Sequence, residues 1–320
     1  MDAPKTAQQD DDTLPPVEDI QWAQAPYIVG SGFCMGTADV VPGVSGGTMA
    51  VAMGIYRQLL AAITSADTEA IRALLRFRIP ELLARVHWRF LLMLVTGVGL
   101  GIGTMVKVVG LPELIKTNPT PVYATFFGLV LSSAFILARR IPVWSGGRVG
   151  ALLGGAGLGF AVVNLVPVDT PEASWFVFFS GTIAISAMLL PGISGSFILL
   201  ILGKYAYVLN ALGNLDLGVI APFALGCLVG VIAFSRVVGW ALSRWHDTVI
   251  AALTGLLIGS LWRIWPYQKL TTIIVRENPR VIGAEPYMPA QLELGVVALF
   301  VAGMVGVIAL EAFASRRART

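Results

Sequence analysis

Six stretches of this chain, at about residues 88–110, 120–138, 148–168, 217–241, 248–265 and 291–313, are long and apolar enough to cross the roughly 30 Å of hydrocarbon in a bilayer. No water is present there to satisfy peptide groups, so open spans must be helical. Composition agrees: 56% of residues are hydrophobic, 13% are charged and the mean hydropathy is +0.78, too apolar for a water-soluble domain. The chain reads as an all-α polytopic membrane protein.

Two longer apolar runs, at about 26–63 and 173–213, are each cut in the middle by a Pro-Gly motif. Val41-Pro42-Gly43-Val44-Ser45-Gly46-Gly47-Thr48 returns as Leu190-Pro191-Gly192-Ile193-Ser194-Gly195-Ser196-Phe197, and Gly54 and Tyr56 return as Gly203 and Tyr205 at the same spacing of 149 residues. Matching glycine-rich breaks in two hydrophobic halves point to the binding site of a membrane transporter. Each half then holds one interrupted hairpin, re-entrant or crossing, followed by three spans. An odd number of crossings per half makes the two repeats inverted in topology. Gly97, Gly101 and Gly110 also match Gly226, Gly230 and Gly239, and Phe127-Gly128-Leu129 resembles Thr254-Gly255-Leu256, although helix packing alone explains glycines at such places equally well.

Proline lacks an amide proton and clashes with the preceding turn, so Pro42 and Pro191 are expected to break or begin helices. Gly43, Gly46, Gly47, Gly192 and Gly195 allow unusual backbone angles and close approach by a partner. Ser45, Thr48, Ser194 and Ser196 add hydroxyl donors. A helix amino terminus with free amides suits phosphate or carboxylate, which makes these residues candidate anion binders. Arg57 and Lys204, beside the two Gly-x-Tyr elements, are placed to neutralise such a group, the alternative being that they snorkel to the interface. Asp39, three residues before Pro42, is a candidate coupling-ion site or a cap for the following helix. Met188 takes its place in the second copy. No Gly-Lys-Ser or Gly-Lys-Thr ending is present, so neither motif is a nucleotide loop.

The expected organisation is an acidic disordered tail (1–25), a first membrane repeat (26–168), a second (169–313) and a short basic tail (314–320). The first residues lack the basic head and apolar middle of a signal peptide. Cys34 and Cys227 stand alone as packed hydrophobes, and His87 and His246 belong to basic loops. The positive-inside rule places the loop from Arg72 to Arg89, together with Arg139, Arg140, Arg148, Arg236, Arg244 and the carboxyl terminus, in the cytoplasm. The segment from Arg263 to Arg280 falls outside yet is basic, against that rule.

Gly36 to Thr48, continuing to Gly54-Ile55-Tyr56, together with Leu189 to Phe197, resembles the bacterial polyprenyl-phosphate transporter family over nearly all of the chain after the tail. The resemblance implies return of undecaprenyl phosphate across the bacterial cytoplasmic membrane, with the motifs in re-entrant hairpins. The expected partners are that lipid and the bilayer. No cofactor, metal, catalytic residue or nucleic acid is expected, and the oligomeric state is left open. The sequence also admits a transporter or channel for a small soluble anion, and less readily a lipid-phosphate phosphatase.

Overall fold

The computed structural model describes residues 21–41, 44–65, 69, 72–73, 76–165, 170–275 and 278–317. The first half forms α1 (Ala25–Asp39), α2 (Gly46–Ala52), α3 (Tyr56–Thr64), α4 (Ile79–Arg85), α5 (Trp88–Gly103), α6 (Leu111–Thr117), α7 (Pro119–Arg139) and α8 (Gly146–Val163). The second half forms α9 (Ser174–Leu189), α10 (Gly195–Ile201), α11 (Tyr205–Asn214), α12 (Leu217–Arg244), α13 (His246–Ser260) and α14 (Leu294–Arg317). Six helices are long and apolar enough to span a bilayer: α5 with its π turn to Val108, α7, α8, α12, α13 with its 3-10 turn to Ile264, and α14. They fall on the six stretches expected from the sequence. Leu92, Val95, Leu153, Leu228 and Val305 stand exposed on their outer faces, as side chains that meet lipid tails must.

One element departs from the all-helical expectation. Between α13 and α14 the chain forms an antiparallel hairpin, β1 (Gln268–Val275) with β2 (Asn278–Pro286). Thr271, Thr272, Ile273, Ile274 and Val275 are β-branched and favour extended backbone. A lone two-stranded ribbon is marginal in water. This one is tied to the bundle by the Tyr287 amide donating to Tyr267 O (3.0 Å) and Trp265 Nε1–H donating to Tyr287 O (3.0 Å).

The four closest helix pairs are α1 with α5, α9 with α12, α8 with α13 and α7 with α14. Glycines bring the backbones together. A Cβ on Gly97 would lie 2.1 Å from Val29 O, and one on Gly101 2.3 Å from Phe33 O. In the second half, Gly226 faces Phe178 O at 2.0 Å and Gly230 faces Thr182 O at 2.5 Å. The glycines shift by 129 residues and their carbonyl partners by 149, so one helix contact is built twice. Likewise Gly128 packs on Phe300 of α14, while Gly255 packs on Leu152 of α8. The match ends at Gly110 and Gly239: Gly110 has φ +66° before α6, whereas Gly239 is buried inside the longer α12.

Contacts of Gly155 with Ala252 and Gly159 with Leu256 show that α8 and α13 run parallel. Their first turns therefore share one end of the bundle, where Arg148 pairs with Asp247 at 2.7 Å. Arg140 at the end of α7 reaches Glu311 of α14 at 3.8 Å at the same end. Arg263, at the other end of α13, lies at the opposite side.

Two glycine substitutions separate close approach from mere helix propensity. Gly226→Ala is expected to destabilise the protein by about 1–3 kcal/mol because its methyl meets backbone. Gly99→Ala, which meets nothing within 4 Å, should leave the melting temperature of purified protein unchanged or slightly higher. Equal melting temperatures for the two variants would refute the close-packing reading.

Candidate functional site

Helices α1 and α9 have 15 and 16 residues, or about 22–24 Å at 1.5 Å per residue, too short to cross the hydrocarbon. Each ends where no water can satisfy its last carbonyls or the first amides of the next helix. The halves satisfy one another. The Tyr56 hydroxyl donates to Leu189 O at 2.8 Å and the Ser45 hydroxyl to Met188 O at 3.4 Å, both carbonyls in the last turn of α9. In return, the Gly192 amide donates to Thr48 Oγ1 at 3.0 Å. Ser45, Thr48, Tyr56 and Ser194 are buried at this junction. The two breaks therefore meet.

Local sequence dictates each turn. Leu190, before Pro191, is extended (φ −84°, ψ 127°), the conformation proline imposes on its predecessor, and α9 ends there. Gly192 has φ +92°, and a Cβ on it would lie 3.1 Å from Leu256 O and from Ser260 Oγ, so α13 walls the second break. After the short helices, Gly54 (φ +72°) and Gly203 (φ +64°) adopt the same left-handed turn. The Ile55 amide returns to Ala50 O and the Lys204 amide to Leu199 O, at 2.9 and 2.8 Å, closing equivalent helix ends. The bend between α10 and α11 is 107°, the shape of a re-entrant hairpin. Pro42 and Gly43 lie outside the described residues.

The chemistry of the two breaks differs. At the first, the Gly46 amide donates to Asp39 Oδ1 at 2.7 Å and the Gly47 amide to Ser45 Oγ at 3.1 Å. A Cβ on Gly46 would sit 2.6 Å from Asp39 Oδ2, and one on Gly47 2.9 Å from Met188 O. Amides that the sequence directs at a guest anion are here held by the chain's own carboxylate and hydroxyl. At the second, α10 starts at Ser194 without a side-chain cap, and the Ser194 and Ser196 hydroxyls lie 2.8 Å apart, bonded to each other. Met188 leaves this side without an equivalent acid.

Two cations attend the second hairpin, Lys204 at its outer end beside the start of α9 and Arg263 near the break. Lys204 is 2% exposed, so it does not snorkel. Its ammonium donates to Thr170 O at 2.8 Å and lies over Phe176 (5.6 Å) and Tyr207 (5.4 Å). No carboxylate pairs with it among the described residues. Cation–π contacts return about 0.5–2 kcal/mol each, against a desolvation cost of several kcal/mol for a buried ion. Arg263 adds a second cation, its guanidinium stacked on Phe197 of α10 at 5.3 Å. Sequence reading placed Arg263 in an external loop; the missed signal is its apolar setting, Leu261-Trp262-Arg263-Ile264-Trp265, a lone charge at the end of a span. Arg57 is half-buried at the start of α3, on the side of the first break.

The remaining candidates fall outside this junction. Tyr205, unlike Tyr56, is 41% exposed, as an interfacial residue would be. His87 is half-buried just before α5, and burial lowers its imidazole pKa. Cys34 and Cys227 are free thiols within packed helices, Cys227 donating to Gly181 O.

Replacing Thr48 by Val removes the acceptor of a buried amide, which costs about 1–3 kcal/mol. Thr48→Ser keeps the oxygen and should keep most of that stability. Thermal unfolding of the two variants in detergent checks this, and indistinguishable curves would mean that the contact between the breaks carries no weight.

A family model described as VCA0040-like, undecaprenyl phosphate translocase-like, matches residues 35–282. A polyprenyl-phosphate transporter of Vibrio cholerae serotype O1 is 35% identical over 297 residues, covering 89% of this chain and 96% of that protein. A polyprenyl-phosphate transporter of Staphylococcus aureus is 29% identical over 256 residues, covering 73% and 84% respectively. No solved structure matches. The match spans both breaks and five of the six spans, and the chain belongs to the VCA0040-like family of undecaprenyl phosphate translocase-like proteins.

Proposed function

We propose that this chain is a flippase that moves undecaprenyl phosphate or a related polyprenyl phosphate across the bacterial cytoplasmic membrane, returning the carrier for reuse. The contact of the two helix breaks inside the bundle, with Lys204 buried at the outer end of the second hairpin and without a carboxylate partner among the described residues, carries this reading. A phosphomonoester head is charged and cannot enter hydrocarbon unaided, whereas an isoprenoid tail is at home there. A protein that shelters only the head is sufficient. Relatives named polyprenyl-phosphate transporters supply the substrate class.

The head is held between Gly43, Ser45, Gly46, Gly47 and Thr48 on one side and Gly192, Ser194, Gly195 and Ser196 on the other. The second side carries most of the attraction, because its helix start is uncapped and Arg263 brings positive charge beside it, with Lys204 further out along the same hairpin. Arg57 contributes from the first side. Asp39 occupies the first break as an internal anion, so an incoming phosphate must displace it or meet it protonated. That exchange gives a route for coupling transport to proton movement.

The two halves act as inverted repeats that rock against one another. Three observations support this: the duplicated glycine contacts, the equivalent turns at Gly54 and Gly203, and the parallel course of α8 and α13. Those two helices are the third span of one half and the second of the other. With neighbouring spans alternating, equivalent helices run in opposite directions. The arginine-bearing end with Arg139, Arg140, Arg148 and Arg244 is then cytoplasmic, and the second hairpin enters from the outside.

In vesicles containing only this protein, leaflet-resolved transport of undecaprenyl phosphate should be measurable and should fall at least about tenfold when Ser45 and Ser194 are both changed to Leu. A short water-soluble phosphate ester should not compete; competition by that ester at equal concentration would favour a small-anion carrier instead. Asp39→Asn is expected to flatten the pH dependence of transport. An unchanged rate and pH profile would remove Asp39 from the mechanism. Lys204→Met should lower the rate by about tenfold or more while Lys204→Arg retains part of it, and equal rates in both would show that the charge is not used.

A further inference from the structure

Where α13 passes into its 3-10 turn, the bundle opens to an apolar cleft of about 490 Å³. Phe127 of α7, Phe160 of α8, Trp262 and Trp265 of the turn region, and Tyr287 and Met288 after β2 form its walls. The walls are braced by protein. Phe160 meets Trp262 edge-on at 5.4 Å, Phe127 meets Trp265 edge-on at 5.3 Å, and the indole of Trp265 is fixed on Tyr287 O. Its volume lies in the range of small-molecule sites, about 300–1,000 Å³.

Charge sets the chemistry of the occupant. Arg263 lies in the same short segment, between two tryptophans that line the cleft, with its guanidinium over Phe197 beside the second break. The cation and the cleft are therefore adjacent in the 3-10 turn, Trp262 lining the cleft and Arg263 following it in the chain. No carboxylate pairs with Arg263 among the described residues. A cation without a carboxylate partner among the described residues, next to a braced aromatic cleft, matches an amphiphile with one anionic head and one apolar chain.

We propose that this cleft binds the head-proximal isoprene units of the lipid while Arg263 contacts its phosphate, so that the pair reads the head and the start of the tail together. The proposal rests on the polyprenyl-phosphate reading and adds to it a tail subsite and a specificity-determining arginine. Planar isoprene double bonds stack on the faces of Phe and Trp rings, which saturated acyl chains do less well. The chain beyond the cleft continues into lipid.

The test uses full-length protein in nanodiscs and geranylgeranyl phosphate carrying a diazirine on its second isoprene unit. Photolabelling followed by peptide mass spectrometry should place adducts on Trp262, Trp265, Tyr287 or Met288. Met288→Trp, at the exposed mouth, should weaken geranylgeranyl phosphate binding by about tenfold and leave isopentenyl phosphate binding unchanged. Arg263→Gln should weaken both phosphates about tenfold and leave geranylgeraniol unchanged, with Arg263→Lys intermediate. Adducts on the lipid-facing side of α5 or α12, or affinities within twofold of wild type in both variants, would overturn the proposal. Transport intact with adducts elsewhere would sink this subsite alone; a protein that neither binds nor moves any prenyl phosphate would sink the functional reading, and this subsite with it.

Discussion

Peptide groups left open in hydrocarbon cost several kcal/mol each, and the arrangement of this protein follows from how two interrupted helices meet that requirement. Neither α1 nor α9 is long enough to reach water at its far end. The last carbonyls of α9 are taken by hydroxyls of Ser45 and Tyr56, and the amide of Gly192 by Thr48, all from the opposite half of the chain. These contacts link the hairpin tips. A rocking motion that parts them must supply replacement partners at the same moment. Under the proposed function, a phosphate head with several strong acceptor oxygens replaces Thr48 at the Gly192 amide during that exchange.

The duplication is closest in backbone and loosest in chemistry. Gly54 and Gly203 share a turn, and the glycine contacts of α1 with α5 reappear in α9 with α12. Side chains at equivalent positions diverge: Asp39 corresponds to Met188, Thr48 to Phe197 and Ile55 to Lys204. Both breaks thus carry hydroxyls, but only the first has a carboxylate, Asp39, and only the second has Arg263 stacked beside it.

Much of the fold was legible because membranes leave few options. The six spans follow from apolar length, and the two breaks from proline and glycine within those runs. The helix-packing glycines could be seen but not interpreted, since Gly97 and Gly226 differ from Gly99 only in what their α-carbons touch. The extended hairpin after α13 was hidden by its basic residues, which dominated a reading based on charge. At the site, Ser45, Thr48 and Gly192, legible in the sequence as candidate anion binders, lie at one junction between the breaks, but the capping of Gly46 by Asp39 could not be separated from a role in coupling. Arg263 was missed because spans were counted as apolar blocks, and a charge at a block's edge was assigned to the adjoining loop. Side-chain direction, which puts it on Phe197, is a tertiary fact.

The central claim is that the two breaks jointly hold an anionic head within the membrane. An experimental structure of the chain in nanodiscs with undecaprenyl phosphate bound tests it most directly. Phosphorus density within hydrogen-bonding reach of the Gly192–Ser196 turn, with Ser45 and Thr48 across from it, is the expected result. A head group bound on the outer surface of one half, with the contacts between Thr48 and Gly192 and between Tyr56 and Leu189 absent, would contradict it.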